Sequence, residues 1–230
     1  MDESRAPEPE EPEHDAVELE TVEDIRAETL LLERAIGGWR GVIDSGLPTV
    51  VFVVSYVVTG QNLGRSLVAA VAAGLVIAIW RAVRRASLIQ IGAGFAGLLI
   101  SAAFARFTGN AGDFYLPGLL TNLAYGTVFL VSILVRWPLL GVALGFLTGQ
   151  GSSWRADPPR RRALAAASWI WVALFLGRLV VQLPLYAADA VTALGIVKVV
   201  MGWPLFLAAA YFTYRILEPT YRAMRASAEQ

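Results

Sequence analysis

Apolar and polar positions alternate along this chain in long blocks rather than in short strands. Apolar runs occupy residues 39–59, 65–80, 88–104, 113–135, 138–148, 164–186 and 190–216, separated by short breaks rich in arginine, glycine and proline. A helix needs roughly 20 apolar residues to cross a bilayer core. Six of these runs are read as crossings. The run at 138–148 has eleven residues and suits an interfacial or re-entrant helix. Ahead of them, residues 1–15 are rich in Pro and Glu and bury too little apolar surface to order themselves. From Thr21 the pattern becomes helical. Thr21 and Asp24 resemble a capping box, and Val22, Ile25, Leu32 and Ile36 fall near helical spacing until Gly37-Gly38. The expected fold is all-α. It is a polytopic membrane helix bundle of six transmembrane helices, one short interfacial or re-entrant helix, and a cytoplasmic amphipathic helix in front. Three regions follow: an acidic cytoplasmic tail at 1–36, a membrane domain at 37–217 and a short polar tail at 218–230.

Small residues set the expected packing. Ala70, Gly74 and Ala78 form one stripe, and Ala93, Gly97, Ser101 and Ala105 recur every four residues in another. Such stripes let helix backbones approach closely in lipid. Gly92, Gly94 and Gly97 also spell G-x-G-x-x-G, but the context is an apolar helix with no preceding strand, so a dinucleotide site is rejected. Gly46 and Pro48 are expected to interrupt the first crossing, leaving either a broken helix or an interfacial helix that bends into the bilayer. Pro117 falls in the first turns of the fourth crossing, where proline is tolerated, and Arg136-Trp137-Pro138 ends it. Trp169, Trp171, Trp203, Tyr211 and Tyr214 put aromatic rings in or near the last two runs, some at interface height.

Composition agrees, with 56% hydrophobic and 17% charged residues. The net charge of zero hides an asymmetry. Residues 1–33 carry thirteen acidic and two basic side chains, and residues 34–230 carry six acidic and seventeen basic. With the acidic tail in the cytoplasm, thirteen arginines fall in inner segments (34, 40, 81, 84, 85, 136, 155, 160, 161, 162, 215, 222 and 225). Only Arg65 and Arg106 fall outside, a strong positive-inside bias. Both termini are therefore expected in the cytoplasm of a plasma-membrane protein. The start of the chain lacks the basic-then-apolar pattern of a secretory signal, so the first crossing is expected to act as an uncleaved insertion signal.

Cys is absent and His14 is the one histidine, which excludes disulfides, thiol catalysis and a His-based triad or metal site in the membrane. No nucleophile–base set is visible, so no enzyme, cofactor or metal is expected. The arginine clusters lack interleaved aromatic residues. Orientation and attraction to anionic lipid account for them without nucleic acid. The chemistry-bearing positions lie inside the apolar runs. Arg178 precedes Asp189 by eleven residues and Lys198 follows it by nine, which places both roughly 13–17 Å from the intervening turn and at one depth. Charges so placed need a partner, a cavity or a lipid head group. Gln182, one turn from Arg178, and Asn122, with Thr121 and Tyr125 nearby, could join them. Two readings stand: an anion or lipid-head-group site built on Arg178, Lys198, Asn122 and Gln182, or long side chains snorkelling to the interface. Arg40 and Asp44 are spaced to form an ion pair on one helical face.

Some stretches carry a resemblance. Gly38-Trp39-Arg40-Gly41 with Asp44-Ser45-Gly46-Leu47-Pro48, and Asp113-Phe114-Tyr115-Leu116-Pro117-Gly118, resemble an uncharacterised actinobacterial family of multi-pass membrane proteins over most of 37–217. A fainter similarity to the intracellular septation protein A family rests on three stretches: Leu47-Pro48-Thr49-Val50-Val51-Phe52, Leu130-Val131-Ser132 through Pro138-Leu139, and Val197-Lys198-Val199 through Tyr214-Arg215. The resemblance implies six helices and a non-catalytic role in envelope growth or division, by contact with other membrane proteins. A homo-oligomer is equally open. The alternative function is a transporter or lipid-head-group-binding protein using Arg178 and Lys198.

Overall fold

The computed structural model describes residues 38–147 and 151–228, with side chains within 46–146 and 151–219. The acidic tail at 1–36 and its amphipathic helix lie outside the described residues, and so do the side chains of Arg40 and Asp44. The chain divides after Ser45 into two compact units, and the second, Gly46–Gln230, holds every contact described below.

Every regular element among the described residues is helical. In chain order they are α1 (Gly38–Val58), α2 (Leu63–Val83), α3 (Leu88–Thr108), a 3₁₀ turn (Ala111–Phe114), α4 (Leu116–Leu134), α5 (Leu139–Leu147), a second 3₁₀ turn (Ser153–Arg155), α6 (Pro158–Ala187), α7 (Val191–Val200) and α8 (Trp203–Ala228). Five segments are long and apolar enough to cross a membrane: α2, α3, α4, α6, and α7 with α8 through Pro219. The apolar part of α1 among them, Gly46–Val58, is shorter.

The exposure pattern is that of a protein dissolved in lipid. Large apolar side chains such as Val68, Ile89, Phe107 and Val180 face outward, while Ser66, Ala70, Ala105, Ala167 and Ser168 are buried. Association in lipid gains nothing from hiding hydrocarbon, so small residues occupy the contacts. The buried hydroxyls are satisfied within their own helices: Ser66 donates to the Asn62 carbonyl at 2.7 Å and Ser168 to the Leu164 carbonyl at 2.9 Å. α6 is the hub and packs against α4, α5, α7 and α8. Rings bind this group together. Phe129 stacks on Trp171 at 5.9 Å, Trp171 meets Phe206 at 5.2 Å, and the Trp171 indole donates to Thr213 at 3.0 Å.

Several expectations are corrected. Gly46 and Pro48 do not interrupt α1, which is helical across both. Proline removes a single ladder bond, and a backbone in lipid has no partner outside the helix. The break expected between the apolar runs at 138–148 and 164–186 is shorter, because Asp157 caps α6 by accepting from the Arg160 N–H and Pro158 opens its first turn. Arg160, Arg161 and Arg162 are therefore helical. The last apolar run is not one helix: α7 ends at Val200, and α8 restarts at Trp203 with Pro204 in its first turn. The segment at 218–230 is not a plain tail, since α8 continues through Pro219 to Ala228. The small-residue stripe on α2 works as expected, with Gly74 against Leu98 of α3. The stripe on α3 works only in part. Ser101 and Ala105 are buried, whereas Ala93 is exposed and a Cβ on Gly97 would meet open space. The short helix at 138–148 is present as α5, its Gly141 lying against the buried Trp154.

Candidate functional site

The site lies toward the end of the bundle where α6 turns into α7. The turn is closed by Asp189 in a left-handed conformation (φ 52°), with the Asp189 N–H donating to Tyr186 and the Ala190 N–H to Leu185. The first 3₁₀ turn packs beside it. Asp113 in that turn is buried and accepts a hydrogen bond from the Tyr186 hydroxyl, while Gly112 lies between the side chains of Asn110 and Asp189. Asp113 is thus part of the packed structure. This contact fixes the Asp113-Phe114-Tyr115 segment over the site.

The ring pairs set the antiparallel register of α4 on α6. Tyr125 rests on Phe175 at 5.3 Å and Phe129 on Trp171 at 5.9 Å. Extending that register by one and two turns places Asn122 level with Arg178 and Gly118 level with Gln182. Asn122 is buried. Thr121 and Tyr125 do not join it: the Thr121 hydroxyl donates to the Pro117 carbonyl of its own helix at 2.7 Å, and Tyr125 is exposed.

α7 completes the site. The Lys198 ammonium lies 5.5 Å from the ring centre of Phe114 and 5.3 Å from that of Tyr115, and a Cβ on Gly118 would stand 4.0 Å from it. Lys198 and Arg178 are close enough to interact electrostatically. They share a depth, as the counting from Asp189 requires. Among the described residues neither forms an ion pair. Lys198 has partial compensation: ring faces attract its charge, and it sits in the last turn of α7, the negative end of that helix dipole. The break after Val200 therefore has a local electrostatic consequence. Arg178 has no such compensation.

Three buried hydrogen-bonding atoms here have no partner among the described residues: the Tyr115 hydroxyl, Arg178 Nε and Gln182 Nε2. Tyr115 is 2% exposed and Gln182 4%, so water cannot reach them freely. All three can donate. Burying a donor without a partner costs about 1–3 kcal/mol, more beside a charge. Arg178 Nε is buried, while the Arg178 residue as a whole is half-buried. The arrangement is a donor-lined, cationic site that suits an anion. The like charges of Arg178 and Lys198 oppose a cation there, and among the described residues no group of three or more Asp, Glu, His or Cys could hold a metal.

Arg178, Lys198, Asn122 and Gln182 were the candidates named from the sequence; the structure adds Tyr115, Gly118 and Gly195 beside Lys198 or one another. A Cβ on Gly195 would run into Val53 and stand 2.8 Å from the Tyr115 hydroxyl. The signal for Tyr115 was the Asp-Phe-Tyr-Leu-Pro-Gly stretch, whose role depends on a turn folding back over α7.

Fold and site together define a multi-pass membrane protein built entirely, in its described part, of helices around a cationic intramembrane site. The chain belongs to the family described as "Protein of unknown function (DUF3159)", whose model matches residues 36–224. No curated protein and no solved structure matches it.

Proposed function

We propose that this protein binds an anion within the bilayer, a phosphate- or carboxylate-bearing ligand held by Arg178, Gln182, Tyr115 and Lys198 with Asn122 at the same level. The reading rests on one observation: the Tyr115 hydroxyl, Arg178 Nε and Gln182 Nε2 are buried without partners among the described residues, and no described carboxylate pairs with Arg178 or Lys198. An anion would satisfy the donors and offset the charge. The role is binding rather than bond chemistry. The setting is the plasma membrane, crossed six times with α1 as the sixth crossing and both termini cytoplasmic, on the strength of the arginine asymmetry.

The test is binding of inorganic phosphate and glycerol phosphate to the purified full chain in detergent, compared with Arg178→Met and Lys198→Met. Each variant is expected to weaken binding about tenfold or more, the scale of one or two charge-assisted hydrogen bonds. Thermal stability without ligand should hold or rise, because a buried unpaired charge has gone. Unchanged binding in both variants would sink the proposal. A second reading, an envelope role through contact with other membrane proteins, has one supporting observation. The exposed small residues Ala93 and Gly97, four apart on one face of α3, suit close helix association.

A further inference from the structure

We infer that the anion is a phosphate monoester, bound as a dianion beside Lys198 in the space left open at Gly118; this rests on the anion-binding reading above. Arg178 and Lys198 bring two positive charges close together at one depth. Four carboxylates fall among the described side chains, and each is placed elsewhere. Asp113 accepts from the Tyr186 hydroxyl, and Asp189 is exposed in the turn. Asp157 caps the far end of α6, and Glu218 pairs with Arg215 at 3.9 Å. Uncompensated charge at this depth is costly. A carboxylate or a phosphate diester brings one negative charge and leaves half of the excess in place. A phosphate monoester carries about −1.5 to −2 at neutral pH and removes nearly all of it.

Hydrogen-bonding capacity points the same way. The Tyr115 hydroxyl, Arg178 Nε and Gln182 Nε2 lack partners among the described residues, and the Lys198 ammonium adds its own donors. A monoester presents three strong acceptor oxygens to such a set, against two on a carboxylate. Gly118 supplies the room. A Cβ there would stand 4.0 Å from the Lys198 ammonium, with nothing from another helix closer. Two turns further along α4, a Cβ on Gly126 would run into Leu176 of α6. Gly126 therefore serves packing, whereas Gly118 leaves the ammonium uncovered on the α4 side. Asn122 follows Gly118 by four residues and lies on the same face of α4.

Soluble esters and lipid head groups both carry this group, so the full chain in detergent is tested with two pairs of probes. Glycerol phosphate is paired with glycerophosphoglycerol, and dioleoyl phosphatidic acid with dioleoyl phosphatidylglycerol. The first of each pair is a monoester and the second a diester. Acetate stands for a carboxylate. Binding is read by calorimetry for the soluble probes and by native mass spectrometry for the lipids. The pair that binds names the source. Within it the monoester should be held at least about tenfold more tightly, the scale of one added charge-assisted hydrogen bond. A monoester loses its second proton near about pH 6, so its binding should weaken about tenfold from pH 7 to pH 5. Over that range Asp113 and Asp189 can only gain protons, and Arg178 and Lys198 keep theirs. The protein becomes no less positive, and the weakening reports the ligand. Gly118→Val puts apolar atoms beside the ammonium at a position with no closer neighbour from another helix. It should weaken the monoester about tenfold and leave the thermal midpoint without ligand unchanged. A diester or acetate held as tightly, monoester binding that persists at pH 5, or normal binding to Gly118→Val overturns the inference while the anion site stands. If no probe binds, both fall.

Discussion

Asp113 shows how much one side chain decides here. A buried carboxylate in this setting is unfavourable unless it is hydrogen-bonded. The Tyr186 hydroxyl supplies that bond and, in doing so, clamps the first 3₁₀ turn to the end of α6. Tyr115 and Phe114 follow directly in the chain, so the clamp also positions the rings against which Lys198 rests. Tyr186→Phe should therefore cost about 1.5–3 kcal/mol, the range for a hydrogen bond to a charged group, read as a lower thermal midpoint in detergent. It should also weaken phosphate binding, although Tyr186 is not itself a site donor. A variant with the parent's midpoint would show that the clamp contributes nothing.

Elements in this protein differ in how their small residues are used. On α2, a Cβ at Gly74 would run into Leu98 of α3, so the glycine permits the helix contact. On α3, Gly97 has nothing within reach. Gly74→Leu should destabilise the bundle by about 1–3 kcal/mol, the usual cost of overpacking, and Gly97→Leu should change its stability little. Unfolding curves for the two variants in one detergent check this directly. Should Gly97→Leu instead break up a complex while the monomer's midpoint holds, the envelope reading gains its first functional support. The α7–α8 break belongs to the same scale. It falls at Met201-Gly202, just before Pro204 in the first turn of α8, and it leaves Lys198 at a helix end instead of mid-helix.

Across the whole molecule, arginine marks one end of the bundle. Arg81 lies in the last turn of α2 with Arg84 and Arg85 just after it, Arg136 follows α4, and Arg160 to Arg162 open α6. Two of these segments hold an arginine over a tryptophan, Arg84 on Trp80 at 4.5 Å and Arg155 on Trp137 at 4.2 Å, the pairing expected where a bilayer meets water. The opposite end carries Asp113 and Asp189. Reporter fusions at the two termini test the topology. Both ends on the cytoplasmic side require an even number of crossings and make α1 the sixth. Ends on opposite sides would leave α1 in the interface, with five crossings.

The helices and their lipid setting were legible in the sequence, because unbroken apolar length is a local property and lipid leaves the backbone few alternatives to a helix. So was the shared depth of Arg178 and Lys198, which follows from counting along two helices from one turn. Helix ends were less legible. Asp157 extended α6 backward and Pro204 divided the final run, each through one cap or one missing donor. Three things were decided by tertiary structure alone. They are the folding of Tyr115 over α7, the use of Gly195 instead of Gly97 as a close-contact glycine, and the absence of described partners for Arg178 Nε and Gln182 Nε2. The physical reason is the same in each case. Whether a glycine is crowded or a donor is satisfied depends on which helix lies opposite, and in lipid that choice is made by packing, which the apolar pattern does not encode.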